Sequence, residues 1–263
     1  VLNCVCPIEI LQALERLGAN CLINLTPTDI KFYLTTEYTK GEQAFVESPV
    51  QSLFESWRVE SKSNNEIPFL ANISNITRAI KSGEHAQRII MKLIKKNNRA
   101  YLSFEMNPDG VRVTQDVPIA VRPHKVLQEC QEPDLPEPRV KVRMPALKSL
   151  KNIIDRMRNV NVCFQVEADQ VAPCKYVFTG QVTIRTFYKN LQLVTPAITG
   201  NLQIIHCSRG SMDIRKFANI LACKVLDAAY IIGCIVEGHA FVLYVKLKNN
   251  RGIVTYYIPL LAD

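Results

Sequence analysis

Apolar and polar residues alternate in short runs over most of this chain, and a period of two predicts strands with one buried face. Val140, Val142 and Met144 interleave with Lys141 and Arg143, and Val162, Phe164 and Val166 repeat the pattern a little later. Four stretches change to helical spacing, at about 8–17, 73–81, 147–158 and 213–223. The clearest is KSLKNIIDRMR, residues 148–158, where Leu147, Leu150, Ile153, Ile154 and Met157 form an apolar stripe. Lys148, Lys151, Asn152 and Arg158 lie opposite, flanked by Arg156, with Asp155 the only acid. In the last stretch Ser211 and Asp213 are candidate caps, Ile214, Phe217, Ile220 and Leu221 face inward, and Arg215, Lys216 and Asn219 face outward. The second stretch leaves Arg78 and Lys81 on its outer face, and the first turns Gln12 and Arg16 to solvent together with Glu9 and Glu15. A mainly β chain with a few amphipathic helices is of the α+β class.

The elements recur at an offset of about 140 residues. Ala13, Leu14, Glu15, Arg16 and Leu17 correspond to Ile153, Ile154, Asp155, Arg156 and Met157; Ile73, Ile76 and Ile80 to Ile214, Phe217 and Leu221; and Val117, Pro118 and Ile119 to Ile258, Pro259 and Leu260. One offset shared by three separated places predicts two like domains in tandem, at 1–121 and 140–263, joined by a linker at 122–139. Pro123, Pro133, Pro136 and Pro138 stand in that linker among Glu129, Glu132, Asp134 and Glu137, a composition that resists both helix and interior strand.

Composition narrows the function. The 263 residues are 48% hydrophobic and 21% charged, which suits two globular domains, and no apolar run approaches the roughly 18 residues that span a bilayer. Nine cysteines form no Cys-x-x-Cys pair and have no histidine at metal-ligand spacing, a pattern of reduced thiols packed as small apolar residues in a cytosolic or nuclear protein. Sequons at Asn24, Asn72 and Asn75 would favour secretion, but no signal peptide accompanies them. Net charge is +8 and the pI is near 9.0, favouring a polyanionic partner. Single basic helix faces are commonplace. Basic faces on repeated helices, with acids gathered in the linker, instead suggest a continuous positive surface that meets phosphates. No aromatic residue interleaves with these cations in the sequence, so duplex backbone contact fits better than stacking on single-stranded bases.

Catalytic signals are weak. His85, His124, His206 and His239 lie far apart without a nucleophile pattern, and the chain has neither a phosphate-binding loop nor a Gly-x-Gly-x-x-Gly motif. The reading is of a protein that is not an enzyme and needs no cofactor. A two-metal nuclease assembled from distant acids and a secreted β-rich interaction module are the rival readings to non-enzymatic DNA contact.

Specific strings add a resemblance. Residues 116–160, DVPIAVRPHKVLQECQEPDLPEPRVKVRMPALKSLKNIIDRMRNV, together with 212–221 and the closing Tyr257, Ile258, Pro259, Leu260 and Leu261, resemble the Hus-one subunits of nine-one-one DNA-damage checkpoint clamps, relatives of the replication clamp. Weaker likeness runs through residues 14–34. The resemblance implies two tandem sliding-clamp domains, with sheets outside and helices lining a central channel. It implies a nuclear, non-catalytic subunit that forms a heterotrimeric ring with Rad-nine and Rad-one type subunits. A clamp loader would place that ring on double-stranded DNA at damage, where it would serve checkpoint signalling and repair enzymes. A homotrimeric replication clamp is the alternative within the fold.

Site expectations follow from the resemblance, position by position. The channel residues are Arg16, Arg78, Lys81, Lys148, Lys151, Arg156, Arg158, Arg215 and Lys216, with Glu9 and Glu15 departing from a fully basic lining. Clamp subunits join edge to edge by strands, so the joints are expected at 111–121, through Val111, Val113, Val117 and Ile119, and at 182–191, through Val182, Ile184, Phe187 and Tyr188. Partner peptides are expected at the linker, around Val126, Leu127, Pro133, Leu135 and Pro136. Clamp domains open with a strand ahead of the first helix, and only residues 1–6 precede Pro7, so part of that strand is expected to be missing from this stretch.

Overall fold

The computed structural model describes residues 5–35, 41–83, 85–108, 110–138, 140–158, 163–171, 180–185, 190–194, 204–221 and 226–261. All four expected helices are present: α1 (Val5–Glu15), α3 (Ile73–Lys81), α5 (Leu147–Arg158) and α6 (Ile214–Leu221). Two short ones join them, α2 (Val50–Leu53) and α4 (Lys125–Glu129). The first helix begins earlier than its periodicity suggests, taking in Val5 and Cys6, and tolerates Pro7 because the first turn has no carbonyl partner for that nitrogen. Helix α4 corrects the reading of the linker as resistant to helix. Its prolines stand at 123 and 133, outside Lys125–Glu129, and a turn forms between them with Val126 N–H donating to Pro123 O at 3.1 Å.

By Cα packing the chain divides into one unit of Val1–Lys40, Ala44–Glu132 and Leu247–Val254, and another of Gly41–Gln43, Pro133–Lys246 and Thr255–Asp263. The change at Glu132 falls inside the expected linker. The short crossing segments had no signal in the hydrophobic pattern.

In the first unit, β1 (Asn20–Leu25), β2 (Asp29–Leu34), β3 (Gln43–Pro49), β4 (Ile67–Asn72), β5 (Ala86–Lys96), β6 (Arg99–Pro108) and β7 (Val113–Val121) form an antiparallel sheet in the order β5-β6-β7-β4-β1-β2-β3. Alternation decides its faces: Ile23 pairs with Phe32 on one side and Phe69 on the other, so all three point to the same side, where Leu11 of α1 and Ile76 and Ile80 of α3 meet them. Each such burial contributes about 1.5–3 kcal/mol. The β5–β6 hairpin closes with Asn97 and Asn98 at φ 47° and 63°, the left-handed pair that a two-residue turn needs to match strand twist. Residues 247–254 dock on β3, where Ser48 donates to Arg251 O and a Cβ on Gly252 (φ 129°) would come within 2.3 Å of Glu47 O, so only glycine fits.

Two sheets are described in the second unit. One has the order β15 (Ile253–Pro259), β14 (Ala240–Leu247), β13 (Ala228–Val236), β8 (Val140–Arg143); the other, β11 (Asn190–Val194), β10 (Gly180–Arg185), β9 (Cys163–Val171), β12 (Ile204–Asp213). Leu150 and Ile154 of α5 and Ile214, Phe217 and Leu221 of α6 are buried, and Phe217 meets Phe241 of β14 edge to face at 5.7 Å. Ile153, assigned to the same stripe, is half-buried at its margin. Helix α1 packs beside α3, and α5 beside α6.

Local hydrogen bonds set the helix starts. Asn72 caps α3 by accepting from Asn75 N–H at 3.1 Å, and of the two candidate caps for α6 it is Asp213 whose Oδ1 accepts from Arg215 N–H, at 2.7 Å. Asn24, the first sequon, is buried and donates its amide to Glu66 at 3.2 Å, so a glycan there would require the strand to open. Cys21, Cys130 and Cys234 are buried and outside any disulfide; burial raises the Cys21 thiol far above its ordinary value and pushes Cys234 up to about 12, as expected of inert packing residues.

Candidate nucleic-acid interface

Burying one stripe of each helix turns its basic residues outward. In the second unit Lys148, Arg156 and Arg215 are exposed and Lys216 is half-buried. Lys151 is different. Its side chain is only 16% exposed and its ammonium contacts Asp155 one turn on, so this expected phosphate contact begins neutralised by its own helix. Arg215 has a looser carboxylate neighbour, Asp213, at 3.8 Å. The side chain of Arg158, and Phe187 and Tyr188, lie outside the described residues.

In the first unit Arg78 and Lys81 are exposed in the last turn of α3, and Arg16 is exposed immediately after the end of α1. The two acids that interrupted this basic pattern are both engaged. Glu9 pairs with Arg251 at 2.9 Å, both side chains largely buried, and Glu15 accepts a 2.6 Å hydrogen bond from Ser74, tying α1 to α3. Nothing near Glu9 in the sequence identifies Arg251, which lies 242 positions away.

The strand edges differ from the expected joints. Strand β7 pairs with β6 over Val113–Ile119 but with β4 only over Ile119–Val121, so the second edge of 113–118 is unpaired among the described residues. Val117 faces the core rather than that edge, while Val111, just ahead of the strand, is 63% exposed. Val113 and Ile119 are half-buried. Strand β10, carrying Val182 and Ile184, is paired on both sides by β9 and β11, so its backbone cannot accept another chain; among the described residues the neighbouring β11 is the edge strand.

The start of the linker folds back onto the first unit. Arg122 N–H donates to Pro68 O at 2.9 Å, and His124 Nε2 lies 2.8 Å from Glu66, the carboxylate that also holds Asn24. Between the linker and the β1–β2 hairpin runs a cleft of about 620 Å³, whose lining includes Leu127, Gln131, Tyr33, Lys31 and Asp29. Of the linker residues expected to meet partners, Val126, Leu127, Pro133 and Leu135 are half-buried and Pro136 is exposed.

Two residues that sequence reasoning did not assign, Arg143 and Tyr230, join Lys148 around a second cleft, in the second unit. Tyr230 lies 82 positions beyond Lys148, and only the β8–β13 ladder brings them together. The fold thus places an aromatic ring beside the cations that the sequence pattern of the helices did not indicate.

Antiparallel sheets backed by paired helices, with lysines and arginines on the outer helix faces, define an α+β protein with a cationic helix surface. Residues 6–262 match the family model described as Hus1-like protein, and the chain belongs to that family. It is 28% identical over 262 residues to "Checkpoint protein hus1 homolog" of Dictyostelium discoideum and 26% identical over 265 residues to "Checkpoint protein HUS1" of Homo sapiens, each covering 97% of this chain and 94% of the relative. "Checkpoint protein hus1" of Schizosaccharomyces pombe is 25% identical over 278 residues, with 97% of this chain and 95% of that protein covered.

Proposed function

We propose that this chain is a non-catalytic subunit of a heterotrimeric ring that encircles double-stranded DNA at damage sites in the nucleus and serves as a platform for checkpoint signalling and repair. The observation that carries the reading is the set of exposed cations on helices whose opposite faces are buried: Arg78 and Lys81 in one unit, Lys148, Arg156 and Arg215 in the other. Such a surface meets phosphates without reading bases. Encirclement makes modest contacts sufficient, because escape then requires opening the ring rather than breaking each ion pair. Among the described residues the unpaired backbone lies on two different strands, β7 over 113–118 and β11, as head-to-tail joints in a closed ring require. Rad-nine and Rad-one type subunits are the proposed neighbours, with a clamp loader placing the ring and repair enzymes docking at the linker.

The test is reconstitution with two related clamp subunits. Native mass should give a one-to-one-to-one ring, and Lys148→Glu/Arg156→Glu/Arg215→Glu should assemble normally yet slide off the free ends of linear duplex DNA faster. A ring of this chain alone would favour the replication-clamp reading, and unchanged retention by the assembled variant would remove the helix face from DNA contact.

A further inference from the structure

The cleft at the start of α5 has a composition unlike the rest of the cationic surface. Its volume is about 320 Å³, and Met144, Leu147 and Ile231 form a buried apolar floor. Around the floor stand Arg143 from the end of β8, Lys148 from the first turn of α5 and Tyr230 from the start of β13, all exposed, Tyr230 by 45%. The walls are held in register: Met144 N–H donates to Ile231 O at 2.9 Å, and Arg143 pairs with Ile232 in the ladder. Asp227 is the one carboxylate among the lining residues.

An apolar floor, one aromatic ring and two flexible cations suit a nucleobase with its flanking phosphates. A base has a π-face that a tyrosine can stack on whatever the sequence, while lysine and arginine take the backbone charge. The space sits at the lower end of small-ligand sites, enough for one nucleotide and too small for a duplex. Lys148 belongs at once to this cleft and to the exposed face of α5, which makes the two surfaces continuous.

The geometry points to a seat for one unpaired nucleotide of DNA, with its base against Tyr230 and its phosphates on Arg143 and Lys148. The inference rests on the DNA-clamp reading and extends it: the helices meet duplex backbone, and the cleft takes a nucleotide of the strand that leaves the duplex.

The test measures the purified chain at low salt against fluorescein-labelled oligothymidylate, an abasic oligomer of the same length and charge, and a blunt duplex. Wild type should prefer oligothymidylate over the abasic oligomer by roughly 5- to 160-fold, the range of one stacked base. Tyr230→Ala should abolish that preference with abasic binding unchanged, which also shows that the variant is folded; Tyr230→Phe should retain it. Arg143→Ala should weaken both oligomers alike, and a 5-iodouridine probe should crosslink to the peptide containing Tyr230. Equal binding of the two oligomers by wild type, binding of neither, or a preference that survives Tyr230→Ala would overturn the assignment. Blunt-duplex binding and its loss in Arg215→Glu report separately on the clamp reading, since α6 does not line the cleft.

Discussion

Helix α5 allows the contribution of individual charges to be tested with opposite signs. Lys148, Arg156 and, on α6, Arg215 are exposed, whereas Lys151 is largely buried against Asp155. Each cation that displaces a counterion from duplex DNA steepens the plot of log K against log salt by about 0.9, so between about 50 and 200 mM salt each contact accounts for roughly a 3.5-fold fall in affinity. Lys148→Ala/Arg156→Ala/Arg215→Ala should therefore flatten the slope by up to about 2.7, reducing the salt effect over that interval about 40-fold. Asp155→Asn should act the other way. It releases Lys151 from its pair with Asp155 and removes a repulsive charge, steepening the slope by about 0.9. Fluorescence anisotropy with a blunt duplex over a sodium chloride series reads both. The reasoning fails if Asp155→Asn leaves the slope unchanged, or if the triple variant titrates like wild type.

Three further outcomes concern the scaffold that holds these charges. Phe217→Ala opens the contact of α6 with Phe241 and should cost about 3–5 kcal/mol, read as hydrogen exchange that accelerates in α6 and β14 while the first unit keeps its protection. Asn72→Ala removes the cap of α3 and should cost about 1 kcal/mol, with Asn72→Asp close to wild type in thermal melting. Lys96 holds the carboxyl of Asp116 below its ordinary value, so their pairing contributes in full above the unfolded-state value near 3.9 and is lost as pH falls through the lower folded value. Acid titration of melting temperature should accordingly show less loss of stability below about pH 4 in Lys96→Met than in wild type, and parallel curves would exclude the pair.

Periodicity was sufficient for the four main helices because their stripes depend only on neighbours three and four positions apart. Ile76 and Ile80, or Leu150 and Ile154, are buried for the reason that their spacing announced. Helix α4 escaped the same reading because it is five residues long, too short for a stripe, and its prolines and acids dominate the local composition. The strand edges escaped for another reason. Alternation says which side chains of Val182 and Ile184 share a face, but a strand's edge is set by which strands pair with it, and β10 is occupied on both sides.

What the sequence determined by itself was a property of short range: mainly β segments, amphipathic helices recurring at about 140 residues, an excess of positive charge on their outer faces, and strings resembling the checkpoint clamps. What only the tertiary structure decided was which of those charges remain free and what stands beside them. Glu9 is engaged by Arg251, Lys151 is muted by Asp155, and Tyr230 comes to Lys148 across a strand ladder. Helical periodicity orients a residue relative to its own axis. Pairing and clefts depend on contacts between residues remote in the chain, and chain closure, not local spacing, brings those together.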